Sequence, residues 1–174
     1  MIAYYPMLKH LHMTLALVSL LLFLYRWLLF AGALSAKKYP HNDSGVVVDI
    51  PGNWTVTGDE SSLNAQTKDG EAGLYFIVMP AESMEAALNA LDAELGKVVQ
   101  GLTHGEAEQI TLNGMQAVSV DGKGTVEGSP VEVGVMVMKT PKDKVLMVFG
   151  IISEAGAKKH HKALVKILKS IKPL

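Results

Sequence analysis

The sequence predicts an α+β protein in which an antiparallel β-sheet is packed by helices, preceded by one N-terminal hydrophobic helix. Two observations predict the globular part. Asn113-Gly114 stands between two apolar, strand-like runs, which is the strongest short signal for a β-hairpin. Two other segments, one after Ser83 and one over about residues 154–171, carry apolar residues at helical spacing. Mixed strand and helix signals with hairpin turns favour an antiparallel sheet covered by helices.

The N-terminal helix is predicted from a hydrophobic segment over residues 1–36 of the 174-residue chain. Between residues 13 and 36, Arg26 is the one side chain that is charged at neutral pH. A central arginine costs roughly 2.5–3.5 kcal/mol of insertion free energy, whereas each Leu, Ile, Phe or Val returns about 0.3–0.6 kcal/mol. The many leucines of this segment outweigh the arginine, so we expect residues 13–36 to enter a lipid bilayer.

Two properties of this segment have alternative interpretations: whether it is cleaved, and on which side of the membrane it places the domain. Small residues up to Ser35 and Ala36 resemble the end of a cleavable signal, but the apolar stretch is longer than a usual signal core. The chain is therefore either anchored in the inner membrane with a periplasmic domain, or secreted to the periplasm after cleavage near Ser35/Ala36. The positive charges on the two sides of the segment nearly balance, with Lys9 before it and Lys37 and Lys38 after it. A cytosol-facing domain is therefore the alternative.

The first part of the segment also carries a resemblance. Residues 8–17 (LKHLHMTLAL), with Ser19, Phe23 and Arg26, resemble the first helix of the SirB family of small membrane proteins. The pattern of that family continues into further membrane helices, which do not follow in this sequence. No SirB function is therefore carried over to this chain.

The rest of the chain is predicted to be a linker over residues 37–44 and one globular domain over residues 45–174. Strands are predicted at 46–50, 54–57, 63–67, 74–79, 106–112, 115–121, 131–139 and 144–152. Ser83 is the predicted N-cap of the first helix of the domain, which runs to about residue 100 or 102 and stops at Gly101. Gly122-Lys123-Gly124 is predicted to be a turn, as is the segment 140–143.

Three stretches of the domain are similar to the PsbP/DcrB-like superfamily. They are residues 45–54 (GVVVDIPGNW), 112–117 (LNGMQA) and 168–173 (LKSIKP). The resemblance implies an α/β/α sandwich around an antiparallel sheet. It also implies a largely non-enzymatic role, since family members are exported lipoproteins, photosystem accessory subunits and chaperones for hydrophobic helices. The sequence contains no cysteine, which excludes a lipoprotein anchor, and the hydrophobic segment would replace it.

Composition and motifs exclude several classes of function. The net charge is -1, so no basic surface for nucleic acid is expected. The sequence contains no P-loop, Gly-x-Ser-x-Gly or His-Glu-x-x-His motif. His160 and His161 are adjacent on a helix and do not share a face, and His104 is expected to be an exposed loop residue. Asp49, Asp59 and Asp121 are interpreted as turn or strand-end residues, so we expect no catalytic, cofactor or metal site.

The remaining candidate is an apolar groove. Met136 and Met138 share one face of a predicted strand, and Met147 lies on the neighbouring strand. Flexible methionines fill cores, and they also line adaptable binding surfaces. We therefore expect either core packing or a groove formed by Trp54, Met136, Met138 and Met147. Such a groove would bind an apolar ligand or a protein partner in a non-catalytic, membrane-associated or exported accessory protein. The alternatives are a cytosol-facing, chaperone-like adaptor that holds an apolar helix of a partner, and an enzyme of uncharacterised activity. The oligomeric state stays open, with a homodimer as one alternative.

Overall fold

The structure is a computed structural model, and it describes residues 35–59, 61–90, 95–96 and 98–174. The predicted N-terminal helix and the SirB-like residues lie outside this part of the chain. The strands in chain order are β1 (Ala36–His41), β2 (Val46–Pro51), β3 (Trp54–Gly58), β4 (Ser62–Thr67), β5 (Ala72–Met79), β6 (Gln100–His104), β7 (Glu108–Leu112), β8 (Met115–Val126), β9 (Ser129–Lys139), β10 (Val145–Ser153) and β11 (Lys172–Pro173). The helices whose bounds fall within the described residues are α1 (Met84–Asn89), between β5 and β6, and α2 (Glu154–Ser170), between β10 and β11.

These strands form two antiparallel sheets. The large sheet has the order β3-β4-β5-β10-β9-β8-β6, with β7 also paired to β8, and the small sheet has the order β1-β2-β11. The Asn113-Gly114 turn joins β7 to β8 with φ values of 49° and 86°, as a two-residue hairpin turn requires. The predicted α+β class, with an antiparallel sheet packed by helices, is confirmed.

The two faces of the large sheet bury separate apolar clusters. Side chains alternate along a strand, so in β10 Leu146 and Val148 point to one face while Val145 and Met147 point to the other. The first face packs against β2 and α2, which contributes Ile167. The second face packs against the α1 region. The two helices therefore cover opposite faces of one sheet.

The predicted linker differs from the structure. Residues 36–41 form β1, which pairs with β2 so that Tyr39 lies opposite Val48. Tyr39 is half-buried against the first apolar cluster, whereas Lys37 and Lys38 are exposed. This strand lies at the edge of the small sheet and buries little, so its sequence shows no clear alternation of apolar residues.

The first helix of the domain is shorter than predicted. The predicted helix reaches residue 100 or 102, but Gln100 to His104 form β6, and Gly101 has φ +60° inside that strand. Leu95 and Val99, which the sequence assigns to the buried helix face, are indeed buried. Because Val99 packs inward just before a strand, apolar spacing alone could not locate the end of the helix.

Gly122 and Gly124 do not form the predicted turn, because both lie within β8. A Cβ on Gly124 would lie 2.4 Å from Val99 Cγ1, and one on Gly122 would lie 2.9 Å from the carbonyl oxygen of Thr103. The glycines therefore allow the close approach of β6, which is a common reason for glycine in a strand.

Helix α2 is held at both ends. Ser153 Oγ accepts a hydrogen bond from the Gly156 amide at 2.9 Å, which caps the first turn. At the other end, Asn113 Nδ2 donates to the carbonyl oxygens of Lys169 at 3.0 Å and Ile171 at 2.6 Å. These bonds pair carbonyl groups that have no partner within the helix. The position of α2 on the sheet is therefore fixed from both directions.

Candidate functional site

A cleft of about 670 Å³ opens between α2 and the large sheet. Helix α2 packs mainly on β2 and β10. The sheet extends beyond it through β9 and β8, and the cleft lies at this border. Its helix wall includes Leu164, Val165 and Leu168, and its sheet wall comes from β5, β8, β9 and β10. A volume in this range is typical of pockets for small ligands.

Two facing glycines form the floor of the cleft. Gly150 of β10 lies opposite Gly134 of β9, and Gly134 lies opposite Asp121 of β8. A Cβ on Gly134 would lie 3.3 Å from Asp121 Oδ1, and one on Gly150 would lie 3.0 Å from Leu74 Cδ2. The depth of the cleft therefore comes from Gly134 and Gly150, two positions in the middle of the sheet that have no side chain.

One end of the cleft is polar. Its charged side chains are Asp121, Lys123 and Glu132, and His104 and His161 line it as well. No other residue in the described part of the chain forms a hydrogen bond or ion pair with the side chain of Asp121, Lys123 or Glu132. These three groups are therefore available to a ligand.

The other end is narrower and mostly apolar, with a volume of about 250 Å³, and its charged lining residues are Asp121 and Lys169. Its apolar lining residues are Ile110, Leu112, Val135, Met136, Val148, Val165 and Leu168. Asp121, Gly134 and two residues of α2 line both ends, so the two volumes form one continuous cleft. Asp121 lies at the junction of the polar and the apolar end.

The four residues of the predicted groove do not line one surface. Trp54, Met136 and Met138 belong to the apolar cluster on the α2 side, whereas Met147 belongs to the cluster on the opposite face. All four are buried, and Trp54 keeps 6% of its surface exposed. Met136 is the member that lines the cleft. Reasoning from sequence missed Gly134 and Gly150, whose signal was a glycine in the middle of each of two long apolar strands.

The adjacent histidines have separate surroundings. His161 lines the cleft, while His160 Nε2 lies 2.9 Å from Asp69 Oδ2 and its ring meets Trp54 edge-on at 6.4 Å. Hydrogen bonds from Thr67 and then His160 hold the pKa of Asp69 well below its usual range. The two imidazoles therefore lie in different surroundings, as adjacent residues on a helix do.

Asp69, Glu71 and His160 place one potential metal-ligand atom each within 4.8 Å of one another. However, Lys159 Nζ lies 3.0 and 2.8 Å from the two carboxylate oxygens of Glu71. The ammonium group therefore supplies the positive charge that these carboxylates require. The same contacts tie α2 to the β4–β5 turn, so we interpret this cluster as a structural ion pair network.

The remaining candidates lie on separate elements. Asp59 accepts hydrogen bonds from the amide and hydroxyl groups of Ser61 and Ser62, which lowers its pKa to about 2. It is a turn residue, as predicted. Asp49 lies within β2 and Asp121 within β8, so neither is the turn or strand-end residue that was predicted. The amide of Asp49 donates to Ser170 Oγ at 2.9 Å. His104, expected to be a loop residue, is exposed at the end of β6 and lines the polar end of the cleft.

Solved structures share this fold at low sequence identity. The solution structure of cyanobacterial PsbP (CyanoP) from Synechocystis sp. PCC 6803 matches with a TM-score of 0.58 and 12% identity, covering 82% of this chain and 95% of that chain. PA94 from Pseudomonas aeruginosa, a protein of unknown function described as a putative regulator, gives 0.51 and 17%, covering 80% and 98%. The Ran-binding protein Mog1p from Saccharomyces cerevisiae gives 0.50 and 9%, covering 79% and 95%.

These likenesses define the fold as PsbP-like. No protein-family model and no curated protein matches the sequence. Within the described residues, neither helix has the length and apolar character needed to cross a bilayer.

Proposed function

We propose that this chain is a non-catalytic binding protein that holds the apolar part of a small ligand in the cleft between α2 and the large sheet. The observation that carries the proposal is the floor of the cleft, where Gly134 and Gly150 face each other in central strands. Glycine inside a strand costs roughly 0.5–1 kcal/mol of stability relative to alanine. In strands it often marks a place where a ligand or another backbone approaches closely.

The fold supports a binding role. Mog1p, which has this fold, is named as a Ran-binding protein, so the fold is compatible with recognition of a partner. The cleft also has the composition of a ligand site, namely an apolar lining with a few convergent polar groups.

We further propose that residues 13–36 hold the protein at the inner membrane or direct its export, with the globular domain on the periplasmic side. The described strand β1 begins at Ala36. Cleavage between Ser35 and Ala36 would therefore leave the folded domain whole, as would retention of the segment. The alternative is a cytosol-facing domain that holds a partner helix in the cleft. The positive charges of Lys37 and Lys38, which follow the segment, favour that orientation.

The binding proposal is tested by filling the cleft in the full-length chain. Gly134→Val places two methyl groups over the floor, and the exposed Asp121 carboxylate nearby can rotate away. We expect the affinity for the neutral apolar probe 2-phenylethanol to fall at least tenfold, measured by ligand-observed NMR titration. Thr111→Val is the matched control, because Thr111 is exposed on β7 between two cleft-lining residues and points away from the cleft.

A cooperative urea unfolding transition establishes that the valine variant is folded. Equal binding by the Gly134→Val variant and the unsubstituted chain contradicts the proposed site, as does the absence of any binding. Location is tested separately with a reporter fused after Leu174. Activity of an exported phosphatase is expected, and fluorescence of a cytosolic reporter without phosphatase activity would contradict the periplasmic orientation.

A further inference from the structure

We infer that the cleft selects ligands with a positively charged amine, which Asp121 binds where the polar and apolar ends meet. The inference rests on the proposed ligand-binding function and names the chemical class of the ligand: a small amphipathic amine with one ring-sized or short-chain apolar group. The apolar group occupies the narrow end of the cleft and the amine reaches the Asp121 carboxylate.

The position of Asp121 carries the first step. A ligand that reaches the apolar end passes over Gly134, whose missing Cβ position lies 3.3 Å from Asp121 Oδ1. Such a ligand removes water from that carboxylate, and a carboxylate without water requires a hydrogen-bond donor to replace it. No donor of the described residues bonds this carboxylate. The ligand therefore has to supply the donor.

The charges of the polar end carry the second step. Asp121 and Glu132 provide two negative charges and Lys123 provides one positive charge. Lys169 lines the narrow end, so the two carboxylates and the two ammonium groups balance over the whole cleft. Asp121 is the one charged side chain that lines both ends. A charged group held at the junction therefore meets a carboxylate, which favours a cation over an anion of the same shape. An ammonium group also donates charge-assisted hydrogen bonds, which are about twice as strong as neutral ones.

The floor of the cleft favours a small molecule over an extended peptide. Peptides that bind sheets commonly add a strand to an exposed edge. Here the floor consists of β8, β9 and β10, whose backbones pair with one another across the cleft. The narrow end, at about 250 Å³, accommodates one apolar group rather than a row of side chains. We therefore assign the cleft to a small amine.

The test compares three probes with the same ring and different heads: 2-phenylethylamine, 2-phenylethanol and 3-phenylpropanoate. We expect the full-length chain at pH 7 to bind the amine at least tenfold more tightly than the alcohol, with the carboxylate weakest. The preference for the amine should decrease as salt is raised, because the charges face an open cleft. Calorimetric or NMR titration measures all three affinities.

Two variants assign the preference to its residue. Asp121→Asn is expected to reduce amine affinity about tenfold and to leave alcohol affinity within twofold. Glu85→Gln is the matched control, since Glu85 is an exposed carboxylate on α1, which packs against the other face of the sheet. It should change neither affinity.

The outcomes separate the inference from the proposed function. Equal binding of amine and alcohol, blocked by Gly134→Val, overturns the amine selectivity and leaves the binding function intact. An amine preference that survives Asp121→Asn also overturns the inference. Failure of every probe overturns both, and binding of an apolar, lysine-containing peptide without binding of the amine overturns the assignment to a small molecule.

Discussion

The two halves of the α2-facing side of the large sheet are built differently. Under α2 and β2, the strands carry large, fully buried side chains such as Phe76 and Leu146, both 0% exposed. One or two strands away, the same face carries Gly134 and the exposed Asp121. Side-chain packing in the first half stabilises the domain, whereas the second half is less densely packed and contains the cleft. The difference suggests that stability and binding are assigned to neighbouring but separate parts of one surface.

The largest expected effect is in the closed half. Phe76→Ala should lower the free energy of unfolding by about 3–5 kcal/mol, since it removes a buried ring and leaves a cavity. Leu112→Ala, at the half-buried lining of the narrow end, should cost less than half as much. Urea denaturation followed by circular dichroism measures both. Equal losses at the two positions would contradict the division of the face into a closed and an open half.

The next largest effect on stability is expected at Asn113, which holds the end of α2, the helix that forms one wall of the cleft. Asn113→Ala should cost about 1–3 kcal/mol, because it removes two hydrogen bonds to the end of α2 and places alanine at φ 49°. Asn113→Gly keeps the turn but not the hydrogen bonds, so it should cost about 1 kcal/mol less. If glycine and alanine cost the same, the turn conformation contributes nothing and the helix contact carries the whole effect.

A smaller effect of opposite sign is expected in the open half. Gly134→Ala should raise the free energy of unfolding by up to about 1 kcal/mol, because it lowers the entropy of the unfolded chain and its one close contact is with an exposed carboxylate. Gly150→Ala, whose added methyl would press on Leu74, should be neutral or destabilising. Destabilisation by Gly134→Ala would show that this glycine is required by the fold rather than by the cleft.

The smallest effect is the pH dependence of the contact between Asp69 and His160, in the first half of α2. Asp69 has a pKa below its usual range because Thr67 and His160 hydrogen-bond to it. Its stabilising contribution is therefore complete above the unfolded pKa of about 3.9. The contribution is lost as the pH falls through the lower folded pKa. Asp59, whose pKa is lowered to about 2, acts in the same direction.

Thermal unfolding at pH 5, 4, 3 and 2.5 measures this dependence. Asp69→Asn should flatten the curve below pH 4 and leave stability near pH 5 only slightly lower, since exposed ion pairs contribute little. An unchanged curve would mean that the Asp69–His160 contact does not stabilise α2.

The sequence predicted the fold wherever local signals and tertiary packing agree. The Asn113-Gly114 hairpin, the Ser83 cap and the amphipathic α2 are visible because each depends on neighbouring residues. The bounds of α1 and the strand β1 were not predicted. Gln100 joins a strand because Thr125, far along the chain, pairs with it, and such a distant partner leaves no periodicity in the local sequence. Tyr39 pairs with Val48 of the next strand, but β1 is an edge strand that buries little, so its residues show no clear alternation.

The candidate site was predicted only through Met136. The methionine pattern could not show that Met147 faces the other side, because that depends on the register of β10 against β9. Likewise Gly134 and Gly150 have no special meaning until the same register places them opposite each other. The register of the strands therefore determines which residues line the site, and that register cannot be read from a single sequence.

The pairing of β2 with β11 also has a consequence for the order of folding. Val47 pairs with Lys172, and the amide of Leu174 donates to the carbonyl oxygen of Gly45 at 3.0 Å. During synthesis, the small sheet therefore cannot be completed until nearly the whole domain has left the ribosome. Until then, β2 lacks its partner strand β11. Contacts of such long sequence separation slow folding. The nascent domain thus passes through a stage in which an apolar strand is uncovered, and exposed apolar surface of this kind makes a folding chain prone to aggregate.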